Sequence, residues 1–296
     1  MQDQFLKAIS SDGSIRVIIA TTTNLVEEAR LRHQLSHTAT AALGRALTAG
    51  ALLTPLVSRQ GQIVLQFKGN GPLGIVFVDA YPTGIVRGYV EHPEVELPLN
   101  ILGNYDVGSA IGNCGILQVT IDHGFGVLQT STCELISGEV GEDVNRYLCN
   151  SEQLGSIVVV GTHLNNDRVE ASGGFIIQLL PDHTEDTICK LENNIATFGT
   201  FTNLMLKGLD LEAILDRIIN GFKMLPFEER KHLIFACKCS QERFNQAITL
   251  FGRDEILDMA KIDGGAKGKC QFCNEDYYLS KDELINLSLA GYQWCK

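Results

Sequence analysis

Two cysteine pairs near the end of the chain carry the clearest chemical signal. Cys237 and Cys239 flank Lys238, and Cys270 and Cys273 span Gln271 and Phe272. A pair two or three residues apart can present both sulfurs to one ion. Two such pairs fill the tetrahedral thiolate shell that structural zinc takes. Thirty residues separate the pairs, room for two short helices and a return. Lys238, Lys267 and Lys269 could offset the charge of four thiolates. The spacing therefore points to one Zn²⁺ per chain on Cys237, Cys239, Cys270 and Cys273. A thioredoxin-like Cys-x-x-Cys centre would use only Cys270 and Cys273, and no βαβ pattern surrounds them.

The elements that must position these sulfurs form a tail, residues 225–296. Ser240 is an N-cap for a helix over about Gln241–Phe251, with Gly252 past its end. A second helix over Glu255–Ile262 stops at Gly264-Gly265. A short hairpin holds Cys270 to Cys273, and Ser280 with Glu283 forms a capping box for a last helix. A domain of about 70 residues rarely draws more than ~3–5 kcal/mol from its own core. A structural zinc contributes an apparent ~10–16 kcal/mol in small metal-dependent peptides. The tail is thus expected to be folded with metal and largely unfolded without it. Both spacings allow a local disulfide, although such small rings are strained. Peroxide could then eject the metal, but zinc lowers thiolate reactivity, so ease of oxidation does not follow from spacing.

The preceding chain reads as an α+β body, residues 1–180, a mixed α/β region with antiparallel strand pairing. Phe5–Ser10 and Ile15–Thr21 pair as a hairpin, and Asn24 with Glu27 marks a helix start. A helix over about Thr38–Val57 is rich in Ala and Gly, suited to close packing on a sheet, and Pro55 should end or kink it. Gln62–Lys68, Ile75–Asp79 and Ile85–Tyr89 form a meander. Further strands are expected at Gly115–Ile121, Ile157–Leu164 and Gly174–Leu180, with a helix over Glu139–Ser151.

Residues 181–224 read as a helical linker of marginal stability. Ile188, Leu191, Ile195 and Phe198 keep a helical stripe. Yet 181–203 holds five Thr, three Asn, two Asp and one Gly, mediocre to poor helix formers. Leu211, Ile214, Leu215 and Ile218 make a stronger amphipathic segment. Such helices are held by docking rather than by propensity.

Composition narrows the function classes. Of 296 residues, 45% are hydrophobic and 20% charged, which excludes a disordered polymer. The formal net charge is −11, and the tail carries 10 basic against 11 acidic residues. Neither balance suits binding to nucleic acid or to an anionic membrane. No apolar run reaches the ~18–20 residues of a membrane span, and the N-terminus has no secretory pattern. A cytoplasmic protein is expected, where nine cysteines point to metal or redox chemistry rather than a disulfide framework. Cys114, Cys133, Cys149 and Cys189 read as small buried hydrophobes, and Cys295 as a terminal cysteine open to exposure with nothing nearby to activate it.

Other motifs do not hold. Gly69, Gly71 and Gly74 spell G-x-G-x-x-G, but Pro72 and a strand follow where a dinucleotide site needs a helix. His33 and His37 lie four apart on an expected helix, but no third ligand is evident. Walker A and Gly-x-Ser-x-Gly sequences are absent, and no catalytic residue is assigned.

Together these residues carry a resemblance. Cys237-Lys238-Cys239-Ser240, Asp263-Gly264-Gly265 and Cys270-Gln271-Phe272-Cys273-Asn274 resemble the tail of the redox-regulated molecular chaperone family, often called the 33 kDa chaperonin. In the body, Ala39–Arg45, Lys68–Gly74, Arg87–Val90, Ser137-Gly138-Glu139 and Gly173-Gly174-Phe175 resemble it too. The resemblance implies an ATP-independent holdase rather than an enzyme. Its reduced zinc form would be inactive. Oxidation in oxidative and heat stress would form Cys237–Cys239 and Cys270–Cys273 disulfides, release zinc and unfold tail and linker. The exposed surface would hold unfolding client proteins, and the active form would be a homodimer. Two other readings stay open: a constitutive zinc module for protein or RNA binding, and a thiol-disulfide oxidoreductase with Cys270 as nucleophile.

Overall fold

A computed structural model describes residues 2–153 and 155–290; Cys295 lies outside them. The chain opens with a hairpin of β1 (Gln4–Ile9) and β2 (Ile15–Thr21), then α1 (Thr23–His33) and α2 (His37–Leu53). The meander follows as β3 (Gln62–Lys68), β4 (Ile75–Ala80) and β5 (Ile85–Val90). Next come α3 (Val107–Ile111), the hairpin β6 (Ile116–Asp122) and β7 (Leu128–Glu134), and α4 (Val140–Ser151). A third hairpin joins β8 (Ser156–Asn165) to β9 (Arg168–Leu179). Three helices, α5 (Glu185–Phe198), α6 (Phe201–Leu206) and α7 (Leu211–Ile218), lead to β10 (Glu229–His232) and β11 (Ile234–Phe235). The remainder is α8 (Gln241–Thr249), α9 (Arg253–Asp258), β12 (Gly265–Lys269), β13 (Asp276–Ser280) and α10 (Lys281–Ala290).

These elements make two sheets and a separate hairpin. One sheet runs β10-β1-β2-β9-β8 and the other β11-β5-β4-β3-β6-β7. All pairs are antiparallel except β11 with β5. The expected α+β class with antiparallel pairing is what the structure has. Helix α2 packs on β8 and β9 of one sheet and on β4 and β5 of the other, and fifteen of its residues are buried. Its small residues permit this. A Cβ at Gly44 would lie 2.5 Å from Thr162 Oγ1, and one at Gly50 would lie 2.6 Å from Val78 Cγ1. The helix ends at Leu53, followed by a 3₁₀ turn containing Pro55, because proline removes a backbone donor.

The five-stranded sheet is apolar on both faces. Phe5, Ile18, Ala20 and Ile176 face the core around α2. Leu6, Ile15, Val17, Ile19, Phe175 and Ile177 face the other way, against a second core. That second core is completed by Leu191, Phe198, Phe201, Leu204, Leu211, Ile214, Leu215 and Ile218 from α5–α7. Burial on both sides explains why β2 and β9 read as apolar runs rather than alternating ones. The region expected as a linker is therefore a helical cover on a sheet. Its helices start at side-chain caps on Thr184, Thr200 and Asp210. Gly199 (φ 80°) separates α5 from α6. Burying each Leu or Ile of the cover contributes about 1.5–3 kcal/mol, which offsets its modest helix propensity.

The chain divides into two compact units, Met1–Ala236 and Cys237–Lys296. Residues 225–236, read above as the start of the tail, belong with the body. β10 pairs with β1 from Gln4↔His232 to Lys7↔Glu229, and β11 adds to the edge of β5. Lys231 anchors this segment. Its Nζ sits 4.0 Å from the centre of the Phe5 ring and donates to Pro82 O at 3.1 Å and Thr54 Oγ1 at 3.2 Å.

Other expectations need correction. Helix α1 starts one residue before Asn24, and no side chain of its N-cap Thr22 serves it. The Thr22 hydroxyl bonds instead to Thr48 at 2.7 Å and to Ser172 at 3.0 Å. The capping acceptor is Asp3, whose Oδ2 accepts from Leu25 N at 2.8 Å. His33 and His37 are on different helices, because Gln34 turns left-handed (φ 51°) and ends α1. His37 Nε2 lies 3.0 Å from Asp167 Oδ1. The Gly69–Gly74 segment is a turn packed on backbone: a Cβ at Gly69 would lie 2.0 Å from Ile111 O. Of the cysteines read as buried, Cys133 is, while Cys114, Cys149 and Cys189 are exposed.

Candidate metal centre

The centre lies within the second unit. Among the described residues its own core is small: Ile248, Ile256, Ala260, Ala266, Leu279 and Leu284 form one buried apolar cluster. Cys237 and Cys239 lie on the irregular chain directly before α8. Ser240 caps that helix, its Oγ accepting from Arg243 N at 3.3 Å. Cys270 and Cys273 lie on the turn between β12 and β13. Cys270 N donates to Glu275 O at 2.9 Å and Asn274 N to Cys270 O at 2.8 Å, which closes the turn. Asn274 takes φ 62°, a left-handed position Asn tolerates better than most residues. Beyond the hairpin, Ser280 N donates to Glu283 Oε2 at 2.8 Å and Glu283 N to Ser280 Oγ at 3.4 Å, the expected capping box.

The fold brings all four sulfurs within 4.8 Å of one another. Cys237 Sγ lies 3.7 Å from Cys270 Sγ, and Cys239 Sγ lies 3.2 Å from Cys273 Sγ. A tetrahedral Zn²⁺ with bonds of about 2.3 Å sets its sulfurs roughly 3.8 Å apart. The cluster is thus compatible with one zinc ion. Cys273 is buried and the other three are half-buried. Burial pushes the Cys270 and Cys273 thiols up, so each holds its proton more firmly than an exposed cysteine. A cation among them reverses that preference, since a coordinating thiol is deprotonated outright. Lys238, Lys267 and Lys269 are exposed, where solvent weakens any charge compensation they give.

One contact gives no sequence signal. The Tyr277 hydroxyl lies 3.0 Å from Cys239 Sγ, reaching from β13 to the other cysteine pair. Nothing in the spacing of the motif singles out a tyrosine there.

A two-sheet α+β body followed by a small unit that gathers four cysteines defines a class of protein in which a four-cysteine module is joined in sequence to a larger scaffold. The comparisons name that class. A family model described as "Hsp33 protein" matches residues 3–280. A 33 kDa chaperonin of Synechococcus sp. (strain JA-2-3B'a(2-13)) is 44% identical over 288 residues, 97% of this chain and 90% of that protein. The 33 kDa chaperonin of Synechocystis sp. (strain ATCC 27184 / PCC 6803 / Kazusa) is 42% identical over 290 residues, covering 97% and 96%. The crystal structure of the 33 kDa chaperonin (heat shock protein 33 homolog) of Thermotoga maritima superposes with a TM-score of 0.89 at 33% identity, over 99% of each chain. The chain belongs to the Hsp33 family, and its function is that of a chaperone. Among the described residues, no helix is long and apolar enough to cross a membrane.

Proposed function

We propose that this chain is an ATP-independent holdase switched by oxidation of a zinc–thiolate centre on Cys237, Cys239, Cys270 and Cys273. The observation that carries the reading is the convergence of those four sulfurs on a unit with so small a core of its own. When bound, the cation supplies cross-linking and holds the sulfurs as thiolates. In the reduced state the chain is then a folded, resting chaperone of the cytoplasm, where thiols stay reduced.

Peroxide provides the oxidant. One thiolate attacks a peroxide oxygen, the O–O bond breaks and hydroxide leaves, giving a sulfenic acid. A second thiolate displaces hydroxide from that sulfur and closes a disulfide. Each pair gives up two electrons, one peroxide is reduced per pair, and the disulfides no longer hold the cation. The proposed pairs are Cys237–Cys239 and Cys270–Cys273. In the folded unit Cys237 Sγ approaches Cys270 Sγ and Cys239 Sγ approaches Cys273 Sγ, so the sulfurs of both pairs share one cluster before oxidation. Unfolding of the second unit then frees the chain directly after β11.

The client surface follows from the cover. Helices α5–α7 hide the apolar outer face of the five-stranded sheet. Their release would expose Leu6, Val17, Ile19, Phe175 and Ile177, a face able to hold unfolding polypeptide and to pair two chains into a homodimer. Catalytic turnover of dithiols would mark a thiol-disulfide oxidoreductase instead. A constitutive zinc module would keep its metal under peroxide. The test is suppression of light scattering from a heat-unfolding client before and after peroxide, with released zinc recorded in the same samples. Holding that appears only with zinc release and reverses with reductant is expected. Equal holding in both states would overturn the switch.

A further inference from the structure

We infer that Tyr277 is a positioning residue of the redox centre, donating its phenolic hydrogen to the Cys239 sulfur and thereby setting how readily that sulfur is oxidised. The inference rests on the zinc–thiolate reading above.

The geometry is built from three elements. Tyr277 on β13 pairs across the hairpin with Gly268 on β12. Phe244 from α8 fills the space left there: a Cβ at Gly268 would lie 2.3 Å from Phe244 Cε2. The Phe244 and Tyr277 rings stack with centroids 5.8 Å apart and planes at 26°. That stack fixes the phenol so that its oxygen stands 3.0 Å from Cys239 Sγ. A metal-bound Cys239 has no proton, so the phenol is the donor and the sulfur the acceptor. The hairpin of one pair thus reaches the sulfur of the other.

A donor on a thiolate draws charge from it. Thiolate nucleophilicity falls as basicity falls, with a Brønsted coefficient of about 0.4–0.5. Scaled by that coefficient, the loss of one hydrogen bond to a charged sulfur gives a rate increase of roughly 3- to 10-fold. Tyr277 would then raise the oxidant threshold of the switch.

Tyr277→Phe tests this in the full-length, zinc-loaded chain, since it keeps the ring stack and removes only the hydroxyl. Three readouts apply: zinc release under limiting peroxide, followed with a chromogenic chelator; the rate of iodoacetamide alkylation at Cys239, located by mass spectrometry; and the sulfur-to-metal charge-transfer band after cobalt(II) replaces zinc. Tyr277→Phe should release zinc and alkylate Cys239 roughly 3- to 10-fold faster. Its cobalt band should move to longer wavelength, as expected for a more electron-rich sulfur. Tyr278→Phe, the neighbouring hydroxyl, should change none of these. Phe244→Leu, which loosens the stack but keeps the phenol, should fall between wild type and Tyr277→Phe. Unchanged rates and an unmoved band in Tyr277→Phe overturn the inference, as does equal acceleration in Tyr278→Phe, which would mean a generally loosened hairpin. If wild type keeps its zinc under peroxide, the switch reading fails, and the alkylation rate and cobalt band still decide the role of Tyr277.

Discussion

Ile214 offers the most direct control over the cover. It is fully buried on α7, in the core between α5–α7 and the outer face of the five-stranded sheet. Truncating a buried Ile to Ala costs about 2–5 kcal/mol, and to Val about 0.5–1.5 kcal/mol. That cost falls on the docked cover, because an undocked α7 exposes the side chain anyway. A loss of about 3 kcal/mol raises the undocked population roughly 100-fold, and about 1 kcal/mol raises it roughly fivefold. Ile214→Asp would set an unpaired carboxylate in the same place and should undock the cover outright. Asp216→Ala, an exposed change on the same helix, is the control. Hydrogen exchange over 185–218 reports undocking, and client light scattering reports holding, both on the reduced zinc-loaded chain. The order Val, Ala, Asp should appear in both measurements. Fast exchange across α5–α7 with no gain in holding would refute the assignment of this sheet face to clients.

Removing zinc with a strong chelator under reducing conditions should raise exchange throughout 237–290 while the strands of the two large sheets stay protected, because the buried apolar cluster of the second unit is small among the described residues. Asp3 gives a pH dependence. Burial pushes its carboxyl up to about 6 against the opposing effect of backbone donors at the start of α1. A raised carboxyl stabilises the fold below about 3.8 and loses that contribution as pH rises through 6, a change on the order of 3 kcal/mol. Asp3→Asn keeps an acceptor without the charge, so its urea midpoint should fall less than that of wild type between pH 4 and 7.5. Changing the exposed Cys114, Cys149 and Cys189 together to Ser should leave zinc content and the rate of zinc release as they are; slower release would bring one of them into the redox chemistry.

The sulfurs were legible because their spacing is itself the chemistry: two local pairs need only be brought together. Most body elements were legible because one face is buried and the other is not, as in β3, where alternation follows the pleat. β7 escaped notice because Leu128–Glu134 is largely exposed and polar and leaves no period to read. β10 is Glu-Arg-Lys-His, a sequence that joins a sheet through backbone pairing and the anchoring of Lys231. Sequence placed the tail boundary near 225, but those long-range contacts move it to 237. The cap on α1 comes from Asp3, twenty-two residues from Leu25, and a local capping rule cannot find it. Tyr277 was invisible for the same reason: its role depends on a ring stack and a hairpin register that only the assembled unit defines.

The five-stranded sheet has separate cores on its two faces, and few side chains serve both. Ile18 and Ile176 pack toward α2, while their neighbours Ile19 and Ile177 pack toward the cover. If the cover is released as proposed, the core on the other face keeps its own packing, like a circuit behind a blown fuse. On heating, the two layers should melt at different temperatures, with the cover first. Recovery would then need three short helices to settle back onto an intact template, a local event far quicker than building two antiparallel sheets from an unfolded chain.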